Sequence, residues 1–538
     1  MREPTTLPAA VLGNGSLLVA LSERGRLRAL WWPHPDRDQQ LGELRLGVER
    51  RGATRWLDEE PFAWTQSYAP GAMLLRTVAR TRGLETEIDD LVHPTEPALL
   101  RRVSGFARGT RLAVRFEGRE RLAVATRDDV VVVAAGASHH DAARRAATLL
   151  ETSFDEHVET RRRHDAARIA EAQPTADASI AGLYERSLLV FDALADSETG
   201  AVIAAPELDP EFVHSGGYGF VWPRDLAFLV LAFVAAGRRN LVKGALRWLP
   251  RAQEQSGVWL QRHWTDGTHA PSWCEHQLDE TGSVLFAYEA AWRGLRDEEL
   301  DARLWPSVRR AADFLLGSIQ AQGIPCETAD LWEERDGCHA YTAAAIVGGL
   351  RAAASFASRH EADLAGTYGD AAEALAVALD RCFWSDEHGR YLRTPGDATV
   401  DVSLLGLAWP FAAADPRGRR MRATAAAVEQ ALGRPGGGLL RYQDDRYAGG
   451  NPWVLGALWL GLYRRQIGER EGLNRALAYA QRVATPLGLL PEQVTEDGRP
   501  AWVVPLAWSH AMLVLAARPE LTVVRSAAPS QAPVRAAG

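Results

Sequence analysis

A change of hydrophobic period partway along the chain constrains its fold more than any other feature. From Ala10 to about Val133 the sequence runs in short apolar stretches, such as Ser16–Leu21, Arg26–Trp32 and Asp129–Ala134. Turn signals such as Gly13-Asn14-Gly15 and Pro33-His34-Pro35-Asp36 separate them, which predicts strands and an antiparallel β-sandwich over residues 1–136. A charged, helix-prone linker follows over 137–175. From there the apolar residues recur every 3.6 positions, in twelve candidate helices beginning near Ile180, Asp225, Asn240, Thr281, Ala302, His339, Ala362, Asp401, Arg417, Asn451, Glu471 and Val504. Twelve helices in ~340 residues suit six antiparallel hairpins closed into an (α/α)6 barrel over 176–520. The Ala/Pro/Ser-rich tail, 521–538, reads as disordered.

At 538 residues the chain exceeds one ordinary core, in keeping with two domains. Its 61 basic and 69 acidic side chains give a net charge of −8 with no basic stripe, which argues against nucleic acid as a partner and leaves a neutral ligand compatible. Cys274, Cys326, Cys338 and Cys382 lack metal-ligand spacing and read as reduced, mostly buried thiols; no cofactor or metal is expected. No basic start followed by an apolar stretch opens the chain, and no apolar run reaches the ~18 residues of a membrane span. The expectation is a cytoplasmic protein without a membrane partner, its oligomeric state open.

The chemistry concentrates in Asp330-Leu331-Trp332-Glu333-Glu334-Arg335-Asp336-Gly337. Two adjacent carboxylates stand there behind a tryptophan and just before a helical run, and a lone Glu492 precedes the last one. Paired carboxyls, one protonated and one ionised, are what cleavage of a glycosidic bond requires. Glu333-Glu334 could equally be a solvated acidic first turn, but Leu331 and Trp332 would raise a neighbouring carboxyl toward the range of a general acid. Arg224 and Asp225 could cap a helix or grip sugar hydroxyls. Trp222, Trp273 and Trp332 could be core aromatics or platforms for a pyranose face; their polar neighbours, Gln277 among them, favour the platform. Trp508 reads as packing, and His339 and His510 as structural. The motifs all precede even-numbered helices, so in a ring of alternating helices they emerge on one rim.

At these residues the chain resembles glycoside hydrolase family 15, the family of glucoamylases, glucodextranases and related bacterial trehalases. The motifs are Gly217-Tyr-Gly-Phe-Val-Trp-Pro-Arg-Asp225, Ser272-Trp-Cys-Glu-His-Gln-Leu-Asp279, Asp330-Leu-Trp-Glu-Glu334, Arg441-Tyr-Gln-Asp-Asp-Arg-Tyr-Ala-Gly-Gly-Asn-Pro-Trp453 and Pro491-Glu-Gln493. Leu12-Gly-Asn-Gly-Ser-Leu-Leu-Val19 is similar to the start of the β-sandwich of bacterial members. The resemblance implies Glu333 as general acid, Glu492 as general base, and Arg224 with Asp225 holding a terminal glucose. It implies Arg441 as a further sugar-binding arginine, with Glu334 and Trp273 lining the neighbouring subsite and the wall. It also implies inversion, with carboxylates ~6.5–9.5 Å apart. Gly449 stands where some relatives carry Asn, so the outer subsite is expected to differ. The implied activity is exo-acting release of β-glucose from α-glucans or α-gluco-oligosaccharides. α,α-Trehalase is the nearest alternative, and a phosphorylase or a non-catalytic sugar-binding protein are more distant ones.

Overall fold

The computed structural model describes residues 7–518 except 37–38, 60–61, 82–83, 106–108, 210–216 and 275. The tail expected to be disordered, and Glu275 of the second motif, lie outside the described residues.

The N-terminal third folds into antiparallel sheets. Strands β1 (Ala10–Gly13), β2 (Leu18–Leu21) and β3 (Leu27–Trp31) form one. Asn14 makes the first turn: its Oδ1 accepts from Ser16 N at 3.0 Å and Leu17 N at 2.8 Å. A second sheet sets β4 (Leu41–Arg50) between β5 (Ala53–Trp56) and β10 (Arg111–Gly118). The third has six strands: β6 (Ala63–Tyr68), β7 (Leu74–Thr81), β8 (Leu84–Val92), β9 (Ala98–Ser104), β11 (Leu122–Arg127) and β12 (Val130–Ala135), in the order β11-β12-β9-β8-β7-β6. Along β12 the side chains alternate between two cores, as period-2 geometry dictates. Val131, Val133 and Ala135 join the main core, while Val132 and Ala134 pack with Leu149, Leu150 and Phe154.

Those last residues belong to the linker, which forms helices α1 (His139–Glu151) and α2 (Phe154–Ala170) and covers one face of the six-stranded sheet. The expected sandwich thus carries a helical layer. The linker also ties the sheets together. Buried Arg161 donates to Gly13 O (3.0 Å) and Val92 O (3.2 Å), and its partner Asp165 accepts from Met73 N (2.7 Å).

Helices follow in the predicted order: α3 (Ala181–Leu194), α4 (Pro223–Ala236), α5 (Arg239–Ala252), α6 (Leu278–Leu295), α7 (Glu298–Ser318), α8 (Ala340–His360), α9 (Ala362–Phe383), α10 (Arg419–Leu432), α11 (Val454–Gln466), α12 (Arg470–Val483) and α13 (Ala507–Ala517). The helix expected from Asp401 is only a 3-10 run, Val402–Leu407. Asp401 caps it by accepting from Ser403 N, and Pro410 cannot continue a helical ladder. The run packs between α8 and α11, α4 packs on α6, α6 on α8, α11 on α13, and α13 returns to α4, closing a ring. These inner segments are buried on nearly every side, whereas α5, α10 and α12 bury one stripe. Glycine lets α6 and α8 meet backbone to backbone, since a Cβ on Gly282 would lie 2.5 Å from Ala345 O. Helix α8 corrects one sequence expectation. It is long and apolar enough to cross a membrane, but 83% of its apolar window is buried in the ring, as suits a core helix.

The N-terminal region is pinned to the helices by two side chains from the loop after β3. His34 Nδ1 meets Asp196 Oδ2 at 2.5 Å, and Asp36 accepts from both the backbone N–H and the hydroxyl of Thr265.

Candidate active site

Each motif leads toward or into an inner helix. Trp222, Arg224 and Asp225 open α4, Trp273 precedes α6, and Trp332 to Glu334 precede α8. Arg441 and Trp453 lead into α11, and Glu492 into α13. They meet around a cavity of about 170 Å³, lined also by Tyr218, Leu331, Tyr447, Leu506 and Trp508. A second cavity, about 420 Å³, shares Trp273, Glu333 and Glu334 with the first and adds His276, Glu327 and Arg335. Gln277 is the exception among the expected contacts. Fully buried, it lines neither cavity and instead donates from Nε2 to Asp330 O at 2.7 Å, propping the loop that carries Glu333.

That loop is a hairpin closed by pairing of Thr328–Ala329 with Asp336–Gly337. Asp330 organises its tip: its carbonyl accepts from Glu333 N (3.0 Å), and its Oδ1 from Glu334 N (2.9 Å). Glu333 is thereby held at φ +64°, a left-handed conformation costing a non-glycine residue about 1–2 kcal/mol. Backbone strain of this kind concentrates at functional sites.

Three donors converge on the Glu333 carboxyl. Trp222 Nε1 (2.8 Å) and Arg224 Nη2 (3.1 Å) meet Oε1, and Gln261 Nε2 meets Oε2. Burial raises the carboxyl above its ordinary range, while the Arg224 guanidinium and these donors oppose the rise. Arg224 is itself surrounded. Its Nη1 lies 3.1 Å from Asp279 Oδ2 and 3.2 Å from Glu280 Oε1, its backbone N–H donates to Glu280, and Asp225 Oδ1 is 4.0 Å from Nε. One guanidinium cannot balance four buried carboxylates. Burial accordingly pushes Asp225 up to about 7, and raises Asp279 and Glu280 as well.

Glu492 lies across the cavity, 1% exposed. Its Oε1 accepts from the Tyr218 hydroxyl at 2.6 Å and its Oε2 from Gln493 Nε2 at 3.1 Å. Burial pushes it up to about 8 against those two bonds and the Arg441 charge. Arg441 grips Asp445 through Nε and Nη2 (both 2.8 Å) and reaches Glu334 Oε1 at 2.7 Å; Tyr442 donates to the other Glu334 oxygen.

Aromatic faces complete the walls. Trp332 packs edge-on to Trp453 and donates from Nε1 to Asp401 at 3.1 Å. Trp273 is 56% exposed, with the Arg262 guanidinium 4.5 Å from its ring centre. Trp508 does more than pack: it lines the cavity as well as meeting Phe228. Its Nε1 and that of Trp453 are buried donors without a protein acceptor, available to a ligand's hydroxyls. His339 and His510 are structural. His339 contacts Thr328 O and Thr394 Oγ1, and buried His510, pushed down to about 3, accepts from Leu490 N. The four cysteines are free and partly exposed, less buried than expected. Among the described residues no group of three or more His, Cys, Asp or Glu could hold a metal ion.

Tyr218, Asp279, Asp330, Tyr442, Asp445 and Tyr447 were absent from the expected site, although all stand inside the sequence motifs. Gln261 and Glu280 lie in none of them, and only the folded chain brings them to the site.

A cavity with two buried carboxyls, aromatic walls and an arginine–aspartate pair fits a glycoside hydrolase. The profile of the glycosyl hydrolases family 15 matches residues 181–475, and the chain belongs to that family. It is 33% identical to an uncharacterized glycosyl hydrolase of Methanocaldococcus jannaschii, over 62% of this chain and 55% of that one. It is 28% identical to the isomaltose glucohydrolase of Kribbella flavida (68% and 95%), and 27% identical to a glucoamylase of a Clostridium species (62% and 52%). The chain thus spans about half the length of two of these relatives. A bacterial glucoamylase solved with acarbose superposes with a TM-score of 0.80, over 96% of this chain and 95% of that one, at 18% identity, a likeness of fold.

Proposed function

We propose that the protein is an inverting, exo-acting α-glucoside hydrolase that releases β-glucose from the non-reducing end of α-1,4- or α-1,6-linked gluco-oligosaccharides. The observation that carries this reading is the meeting of Glu333 and Glu492 on one cavity of about 170 Å³, smaller than the roughly 300–1,000 Å³ of common ligand pockets. That suits one sugar ring at a chain end rather than the middle of a polymer. In this reading the closed ring of inner helices with its outer partners is an (α/α)6 barrel over 176–520, preceded by a β domain (1–136) and a helical linker (137–175).

Glu333 protonates the glycosidic oxygen, and Glu492 takes a proton from the water attacking the anomeric carbon. Arg224 and Asp225 hold the terminal glucose, with Trp222 and Trp332 as its walls. The adjoining cavity, reached past Trp273 and Glu334 beside Arg441, takes the leaving sugar. The names of relatives, glucoamylase and isomaltose glucohydrolase, support an α-glucoside as substrate.

The test is hydrolysis of maltose, isomaltose, trehalose and a longer α-glucan by the purified protein. Glucose as sole small product from maltose, isomaltose or the glucan is expected. Cleavage of trehalose alone would replace this reading with a trehalase, and glucose 1-phosphate formed only with phosphate would replace it with a phosphorylase. No cleavage of any sugar would leave a binding protein.

A further inference from the structure

We infer that Gln261 is a positioning residue for Glu333, its amide selecting which carboxyl oxygen of Glu333 carries the acid proton. The inference rests on Glu333 being the general acid. Of the three side chains that touch this carboxyl, Trp222 and Arg224 can only donate, and both meet Oε1. Among the described residues Gln261 alone meets Oε2, and of the three it alone can both donate and accept. While Glu333 is ionised, Gln261 Nε2 donates to Oε2. When a proton sits on Oε2, a half-turn of the amide presents Gln261 Oε1 as its acceptor. That Oε1 is buried and receives no protein hydrogen bond in the ionised arrangement.

The segment carrying Gln261 is firmly placed. His263 pairs with Val221, one residue from Trp222, through hydrogen bonds of 2.8 and 2.9 Å. Thr265 is held by Asp36 from the N-terminal region, and its carbonyl accepts from Trp248 Nε1 at 2.7 Å. Support of this kind fixes a reacting group within the tolerance catalysis demands. The loop after β3 thereby reaches the reacting carboxyl in three steps: Asp36 to Thr265, along the segment to Gln261, and across to Glu333.

The charged and titratable groups facing Glu333 are Arg224 and Asp225 from α4, Glu280 from α6, Arg262 from the Gln261 segment, and the Cys274 thiol, with Asp279 behind Arg224. Gln261→Met keeps side-chain length, changes none of these charges, and removes both the donor and the acceptor. A hydrogen bond to an ionised group is about twice as strong as a neutral one, so the ionised state loses more.

The experiment is the pH profile of kcat/KM for wild type and Gln261→Met on maltose or isomaltose, whichever wild type hydrolyses faster, repeated with α-glucosyl fluoride. Fluoride leaves without a proton, so the break that disappears on the fluoride belongs to Glu333. In Gln261→Met that break should rise by about half to one pH unit, with kcat reduced about tenfold and KM little changed. Gln261→Leu, which likewise adds no charge and removes both donor and acceptor, should move it the same way and serves if Gln261→Met does not fold. An unmoved or lowered break in a folded variant would overturn the inference while leaving Glu333 the acid. If the alkaline break of wild type, where activity falls as the acid ionises, persists on the fluoride, the role of Glu333 itself is overturned, and this inference with it.

Discussion

Replacing Tyr218 by Phe removes one oxygen from the surroundings of Glu492 and leaves the ring in place. That oxygen donates to Glu492 Oε1 at 2.6 Å, one of the two hydrogen bonds to the carboxyl from other side chains. A hydrogen bond to a charged group contributes about 1.5–3 kcal/mol, and one pH unit corresponds to about 1.36 kcal/mol, so its loss should raise the carboxyl by about 1–2 units. Glu492 starts at about 8 because of burial. As the base it works ionised, so activity is present above its pKa and is lost as pH falls through it. On α-glucosyl fluoride, where only the base is needed, kcat/KM of wild type should rise with pH through a single break near that value. Tyr218→Phe should shift the break upward by the stated amount. The partner hydroxyl of Tyr447 keeps its bond from Trp502 Nε1 at 2.8 Å, so the pocket wall should hold. A break that stayed in place or moved down would refute both the Tyr218–Glu492 bond and the role of Glu492 as the base.

Three further outcomes follow from the same geometry. Glu333→Gln and Glu492→Gln should each lower kcat on a disaccharide by about 10²–10⁴-fold with unchanged circular dichroism, and Glu333→Gln should lose far less on α-glucosyl fluoride. Gly282→Val should destabilise the ring by about 1–3 kcal/mol, read as a lowered urea midpoint, because its side chain would enter the backbone of α8 at Ala345. His34 is raised above its ordinary 6.5, first by the hydrogen bond its ring N–H donates to Asp196. Its contribution to stability should therefore be complete below about pH 6.5 and fade as pH rises through the folded value. The Tm difference between wild type and His34→Ala should shrink on going from about pH 5.5 to about pH 9; a difference that grew would contradict the pairing.

Much of this architecture is legible in the residues because period and burial agree. The inner helix α4 opens at Trp222-Pro223 and ends at Gly237, which adopts φ +74°; both are local signals that need no tertiary information. The 3-10 run at Val402–Leu407 escaped that logic. Its apolar residues satisfy a helical period, which outweighs the one local sign of a short run, Pro410 just beyond it, and Gly406 meets Tyr341 with no room for a Cβ. Helix α8 shows the same limit from the other side, since an inner-ring helix is apolar nearly all round and composition cannot tell it from a span. In the site, residues adjacent to a motif's carboxylates were readable, as with Trp332 and Glu334. Gln277 has the right neighbours but turns its amide to the Asp330 carbonyl, because that hairpin needs a support. Gln261 and Glu280 could not be read at all. Each reaches its partner across more than 50 residues of sequence, with no spacing rule to announce it.

In the proposed reaction Glu333 and Glu492 act on opposite faces of one anomeric carbon. Proton NMR of the purified enzyme with maltose and isomaltose, following the anomeric signals from the first minutes, tests it most directly. Glucose appearing first as the β-anomer and then mutarotating is the predicted result. Glucose appearing first as the α-anomer would mean retention, and would contradict the roles assigned to both carboxylates.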